Sequence, residues 1–196
     1  MKEIIVPGDK IEGKADSYVF KDGNSTYSMV LGILDRGDKF VKISPLTGKY
    51  YPAIGDTVVG VVTEEKKGGY IVDINSPYDA FLMSRKRYHE GDVVLAEVKD
   101  VSEVRSVLLS YDNPLDGGEL TEISSMKVPR VIGKQNSMLM LIKEKTKTDI
   151  YVGRNGRIWL KGGDIVKAQK TILKIEREAH TDGLTDRINE FLNKVI

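Results

Sequence analysis

Gly55-Asp56-Thr57-Val58-Val59-Gly60-Val61-Val62 decides how the middle of this chain is read. A Gly-Asp pair opens a run of β-branched residues that is too short and too β-prone for a helix. The same opening recurs at Gly91-Asp92, ahead of Val93-Val94-Leu95-Ala96-Glu97-Val98. Working outward, five strand candidates follow one another: Thr57–Thr63, Tyr70–Ile74, Ala80–Met83, Val93–Val101 and Val107–Tyr111. Gly68-Gly69 breaks the first hairpin, and the connection between the third and fourth strands is longer than the others. Five short strands with that spacing fit a five-stranded OB barrel over residues 54–112.

Upstream, residues 1–53 consist of short β-prone runs broken by Gly and Asp. Tyr27–Leu34 and Lys39–Ser44 read as a hairpin joined by Asp35-Arg36-Gly37-Asp38, and Ser44-Pro45-Leu46-Thr47-Gly48 reads as a further turn. A β-domain this small holds little core by itself, so it is expected either to serve as a docking surface or to decorate the edge of the next domain.

Downstream of the turn-rich Asn113-Pro114-Leu115-Asp116-Gly117-Gly118, the period changes. Ser137–Lys147 places Met138, Leu141 and Ile142 on one helical face. Ile165–Ala179 repeats the pattern at Ile165, Ala168, Ile172, Ile175 and Ala179, and Leu184, Ile188, Phe191, Leu192 and Val195 mark a last helix. Between them, Asp149–Val152 and Arg157–Leu160 flank Gly153-Arg154-Asn155-Gly156, whose Asn-Gly pair is a strong signal for a tight type I′ hairpin turn. Residues 118–196 are therefore a small α/β unit, and the whole chain is multidomain α+β.

Bulk composition narrows the function. Lys+Arg number 30 and Asp+Glu 29 in 196 residues, so any nucleic-acid contact must come from local patches rather than a basic coat. The absence of cysteine removes disulfides, zinc ribbons and thiol nucleophiles. His89 and His180 lie far apart without ligand spacing, and no nucleophile has a paired base, so neither metal, cofactor nor catalytic residue is expected. The apolar run at Ile4-Ile5-Val6 is too short for a signal peptide and Met138–Ile142 too short to span a bilayer, which suits a cytoplasmic protein with no membrane partner.

The middle segment resembles the S1 RNA-binding family through Gly55–Val62, Gly69-Tyr70-Ile71-Val72-Asp73-Ile74, Ala80-Phe81-Leu82, Gly91–Val98 and Leu108-Leu109-Ser110. That resemblance implies a barrel face where aromatics stack on bases and Lys and Arg hold phosphates. Tyr70 falls where the family has a stacking aromatic, whereas Lys67 and Met83 replace other common ring positions. Lys66, Lys67, Arg85, Lys86 and Arg87 cluster beside it.

The last segment resembles KH domains, which clamp a short single strand over a VIGxxG loop. The matching text is Val131-Ile132-Gly133-Lys134-Gln135-Asn136, with Asn136 in place of the second glycine. Asn tolerates the left-handed conformation but puts a side chain where a phosphate approaches. The resemblance makes Lys127, Arg130, Gly133, Lys134, Gln135 and Arg154 candidate RNA contacts, with Gly153, Asn155 and Gly156 forming a structural turn.

Taken together, Val6-Pro7-Gly8-Asp9, an S1 segment, and a type I KH segment with GxNG and an extra C-terminal helix resemble the KH-bearing cap subunits of the archaeal exosome, the ribosomal-RNA-processing protein 4 family. The family implies three copies on a hexameric ring of RNase PH-like phosphorolytic subunits, docked through the N-terminal domain. It also implies S1 domains that feed RNA 3′ ends into the ring for degradation and processing, while the cap itself is non-catalytic. Two other readings stay open: an assembly scaffold whose RNA surfaces have decayed, and a free-standing S1-KH translation or transcription factor.

Overall fold

Alternation and breakers account for most of the architecture of the computed structural model, which describes residues 2–13, 15, 18–37, 41–45, 49–102, 106–181 and 183–193. Asp38, Lys39 and Phe40 of the expected first hairpin, Leu46-Thr47-Gly48 of the following turn, and Val195 of the last helix lie outside the described residues. The chain divides into two units, Met1–Tyr51 and Pro52–Ile196.

The first unit holds two three-stranded antiparallel sheets. Strands β1 (Lys2–Ile5), β5 (Gly32–Arg36) and β6 (Val41–Pro45) form one in the order β1-β5-β6; β2 (Lys10–Ile11), β3 (Val19–Asp22) and β4 (Ser25–Ser28) form the other in the order β2-β4-β3. Its core is small: Ile5, Ile11, Ala15, Val30, Leu34 and Ile43. The run Tyr27–Leu34, expected as one strand, is divided between the sheets. Ser28 is fully buried, and its hydroxyl donates to the Val30 carbonyl at 2.8 Å while accepting the Val30 amide at 3.2 Å. That local bond bends the chain out of one sheet and into the other. Asp35 and Arg36, expected in the turn, extend β5 and pair with Lys42 and Val41.

In the second unit, β7 (Thr57–Lys66), β8 (Gly69–Asp73), β9 (Asp79–Leu82), β10 (Val93–Val101) and β11 (Ser106–Pro114) close into a barrel in the order β10-β11-β9-β8-β7. Only β9 and β11 run parallel, the arrangement of an OB fold. Val58, Val62, Val72, Ala80, Leu82, Val94, Ala96, Val98, Val107 and Leu109 are buried inside it. Closing the sheet removes its open edges, and every second residue supplies the interior.

The chain then forms β12 (Glu119–Glu122), α1 (Val128–Ile132), α2 (Ser137–Thr146), β13 (Asp149–Val152), β14 (Arg157–Lys161), α3 (Ile165–Glu178) and α4 (Leu184–Asn193). The sheet order is β12-β14-β13, antiparallel throughout, and the βααββα succession is that of a type I KH domain extended by α4. Asp164 caps α3 by accepting the Lys167 amide at 2.9 Å, and Ala168, Thr171, Ile172 and Ile175 form its buried stripe. These pack on Val131, Ile142, Ile150, Ile158, Leu160, Ile188 and Leu192. No helix among the described residues is long and apolar enough to cross a membrane.

Candidate nucleic-acid interface

The basic cluster of the barrel sits on the connection between β9 and β10, where Arg85, Lys86 and Arg87 are all exposed. This connection is stitched to the barrel from beneath. The Asp112 carboxylate accepts from the Tyr88 hydroxyl at 2.5 Å and from the Ser84 hydroxyl at 3.0 Å. Tyr70 donates its hydroxyl to the Lys86 carbonyl and accepts the Tyr88 amide, each at 3.2 Å, and its ring meets Tyr88 edge-on at 5.4 Å. Burial disfavours ionisation of Asp112, but the Tyr88 and Ser84 hydrogen bonds and the Lys86 charge outweigh it and hold this carboxyl below the usual range. Burial and the hydrogen bond to Asp112 push the Tyr88 hydroxyl well above its ordinary range, so it remains a donor.

Two consequences differ from the sequence expectation. Tyr70, expected as the stacking ring, is 6% exposed and acts as a strut beneath the loop. Alternation explains this, because Tyr70 is in phase with the buried Val72 and Ile74. The five basic residues are also unequal. Lys66 pairs with Glu64, and Lys86 binds the Asp112 carbonyl and lies 3.5 Å from its carboxylate. Lys67, Arg85 and Arg87 have no ion pair among the described residues and offer the free charge. Glu65, Tyr70, Arg87, Tyr88 and His89 line an open recess of about 310 Å³ at this edge. Sequence reasoning missed Ser84, Tyr88 and Asp112, since no local pattern links residues this far apart in the chain.

In the KH segment, Gly133 (φ 74°), Gln135 (φ 51°) and Asn136 (φ 64°) all have positive φ, so Asn136 occupies the left-handed conformation expected of it. Lys134, Gln135 and Asn136 are exposed. A Cβ on Gly133 would lie 2.8 Å from both the Cβ and the amide nitrogen of Met138, so this glycine lets α1 approach α2. Lys127 is half-buried ahead of α1, and Arg130 donates Nε to the Ala179 carbonyl at 2.8 Å, tying α1 to the end of α3. Arg85, Lys86 and Arg87 share the connection between β9 and β10, Lys66 and Lys67 lie at the turn from β7 to β8, and Gly133, Lys134 and Gln135 lie on the KH loop, as separate groups.

Gly153-Arg154-Asn155-Gly156 faces the barrel. Asn155 is fully buried; its Nδ2 donates to the carbonyls of Val59 (2.7 Å) and Ile74 (3.0 Å), and its Oδ1 accepts the Val59 amide (3.2 Å). A Cβ on Gly153 would stand 2.6 Å from the Val59 nitrogen, so only glycine allows this approach. The turn is not the expected type I′, because Asn155 lacks positive φ; the left-handed position belongs to Gly156 (φ 86°), after a Gly156 N–H to Gly153 carbonyl bond of 3.1 Å. Directing the Asn155 amide into the barrel accounts for the change. Arg154, expected at RNA, donates its amide to Thr57 at 2.8 Å and lies 3.5 Å from the Asp56 carboxylate. Arg157 is nearly buried between Asp73 of the barrel and Glu122 of the KH sheet, at 2.7 Å from each carboxylate. Trp159 packs against Val59 and Leu115.

No group of three or more carboxylate, histidine or cysteine residues with metal-binding geometry occurs among the described residues. A KH-domain family profile matches residues 118–166. The exosome complex component Rrp4 of Pyrococcus furiosus is 40% identical over 97% of this chain and 83% of its own length. That of Thermoplasma acidophilum is 40% identical over the whole of this chain and 92% of its own. A crystal structure described as that of an exosome-complex RNA-binding protein superposes with a TM-score of 0.68 at 36% identity, covering 74% of this chain and 95% of that one.

Proposed function

The chain belongs to the Rrp4 family of exosome complex components, and from that premise we propose that it is a non-catalytic, RNA-binding exosome subunit that works in the cytoplasm. It caps a hexameric ring of RNase PH-like subunits in three copies, docks through its N-terminal unit, and guides single-stranded RNA 3′ ends into the ring. The observation that carries the RNA part of this reading is the basic loop hydrogen-bonded to the barrel, with Arg85 and Arg87 on it, and Lys67 at the turn from β7 to β8, without an ion pair among the described residues.

A few unpaired cations per copy give modest affinity. Several copies around one opening raise the effective concentration of the second and third contacts without any new chemistry. They also form an electrostatic path for a single strand. Immobilising the loop removes an ordering cost that each contact would otherwise bear. The KH loop, with Lys134 and Gln135 exposed, supplies a weaker second contact.

Burial of Tyr70 favours one competing reading, a scaffold that organises the ring without touching RNA. Co-purification with the phosphorolytic ring, with and without the first fifty-one residues, tests docking. An RNA titration of the assembled complex separates the two readings: a scaffold adds mass to the ring but no RNA affinity.

A further inference from the structure

The barrel carries no ring at Lys67 or Met83 and turns Tyr70 inward, yet one tyrosine near the basic loop is largely displayed. Tyr111 is 83% exposed although it lies inside β11. Alternation should have buried it: Val107 and Leu109 point into the barrel, and Tyr111 is next in that phase. A bulge changes this. Between the pairs Leu95–Asn113 and Glu97–Ser110, β10 has one residue, Ala96, and β11 has two, Tyr111 and Asp112. Tyr111 takes φ 53° at the bulge, so its ring turns outward and Asp112 turns toward Tyr88 and Ser84.

A single exposed ring is ordinary on a protein surface. The position of this one is not ordinary. Positive φ is a conformation that a large side chain resists and that glycine or asparagine adopts freely. Strain of that kind is held by the surrounding structure and clusters at functional sites. The neighbouring residue is the anchor of the basic loop, since Lys86 binds the carbonyl of Asp112 and Ser84 its carboxylate. The same bulge that anchors the loop through Ser84, Lys86 and Tyr88 therefore everts the ring of the residue next to that anchor. The Tyr111 ring makes no hydrogen bond or ring contact among the described residues.

We propose that Tyr111 is the nucleobase-stacking residue of this barrel, taking a base of single-stranded RNA on its open face while the adjacent loop holds the phosphates. This rests on the reading of the barrel as an RNA-binding surface. A ring that stacks on a base contributes affinity without sequence preference, whereas the cations contribute the salt dependence.

The test titrates the full chain at low salt with two labelled probes of equal length, a twelve-nucleotide oligoadenylate and its abasic ribose-phosphate counterpart. Tyr111→Gly removes the ring and suits the positive φ, so the bulge and the thermal midpoint should be kept. The expected result is a loss of about 5- to 100-fold for oligoadenylate, no change for the abasic probe, an unaltered salt slope, and recovery with Tyr111→Trp. Equal binding of oligoadenylate by Tyr111→Gly and the parent chain overturns the proposal. So does an equal loss on both probes, which means a structural role. If the parent chain binds both probes equally well, stacking is refuted while the electrostatic reading stands; if it binds neither, both fall.

Discussion

The Asn155 side chain meets the backbone of Val59 from both directions, donating to its carbonyl at 2.7 Å and accepting its amide at 3.2 Å. One amide thereby completes the pairing of β7 where the barrel ladder ends, and a residue 96 positions away joins the KH sheet to the barrel. The turn that looks like an exposed hairpin in sequence is the internal joint of the second unit.

Replacing Asn155 with alanine strands the Val59 amide and the Val59 and Ile74 carbonyls in a buried interface. Unsatisfied buried groups of this kind cost about 1–3 kcal/mol each, partly relieved by relaxation, so a loss of about 2–4 kcal/mol is expected. Trp159, the single tryptophan of the chain, lies in the same contact and reports its opening by fluorescence during urea unfolding. An unchanged midpoint would contradict the assignment.

The acid limb of stability should report Asp73. Burial works against its ionisation, but the hydrogen bond and charge of Arg157 and the Asn75 amide prevail, and its carboxyl is held below the usual carboxylate range. A depressed carboxylate stabilises the fold above its unfolded pKa, and that contribution disappears as pH falls through the folded value. Asp73→Asn should therefore be less stable than the parent at neutral pH, and the gap should close as pH falls below the usual carboxylate range. The Asp73 side chain is 48% exposed, so screening holds the titrating part to about 1 kcal/mol or less. A constant gap from pH 7 to pH 3 would show that Arg157 is indifferent to the charge of its partner.

The basic residues should separate into two classes. Neutralising Lys67, Arg85 and Arg87 removes unpaired cations and should lower the salt slope of RNA binding by about 2, at about 0.7 per phosphate on a single strand. Neutralising Lys66 and Lys86 should lower it little, because Glu64 and Asp112 already engage them. Binding isotherms at several salt concentrations check this, and equal effects from the two sets would refute the division.

Asn136→Gly removes a side chain from the KH loop and relieves a left-handed backbone. The full chain should remain as stable or gain up to about 1 kcal/mol, and its affinity for single-stranded RNA should rise, at most about tenfold. If affinity does not rise, the loop is committed to packing α1 on α2.

Much of this was legible in the residues. Gly-Asp openings and β-branched runs marked the five barrel strands, and apolar spacing marked α2, α3 and α4. What escaped had physical reasons. Helix α1 spans five residues and opens with Val128-Pro129, too short for a period to show. The division of Tyr27–Leu34 depends on a hydroxyl bond within the chain rather than on hydropathy. The inward phase of Tyr70 could have been read from Val72 and Ile74. The outward turn of Tyr111 could not, because a bulge breaks the alternation from which a phase is counted. Asn155 looked like a local turn residue, and its partners come from two strands far back in the sequence.

The most direct test of the central claim measures RNA affinity against salt concentration for the phosphorolytic ring alone and for the ring carrying this subunit. The subunit should co-elute with the ring, tighten RNA binding, and steepen the dependence of log affinity on log salt by roughly 0.7 for each phosphate it contacts. Co-elution with an affinity and slope identical to those of the bare ring would contradict an RNA-binding role and leave a scaffold.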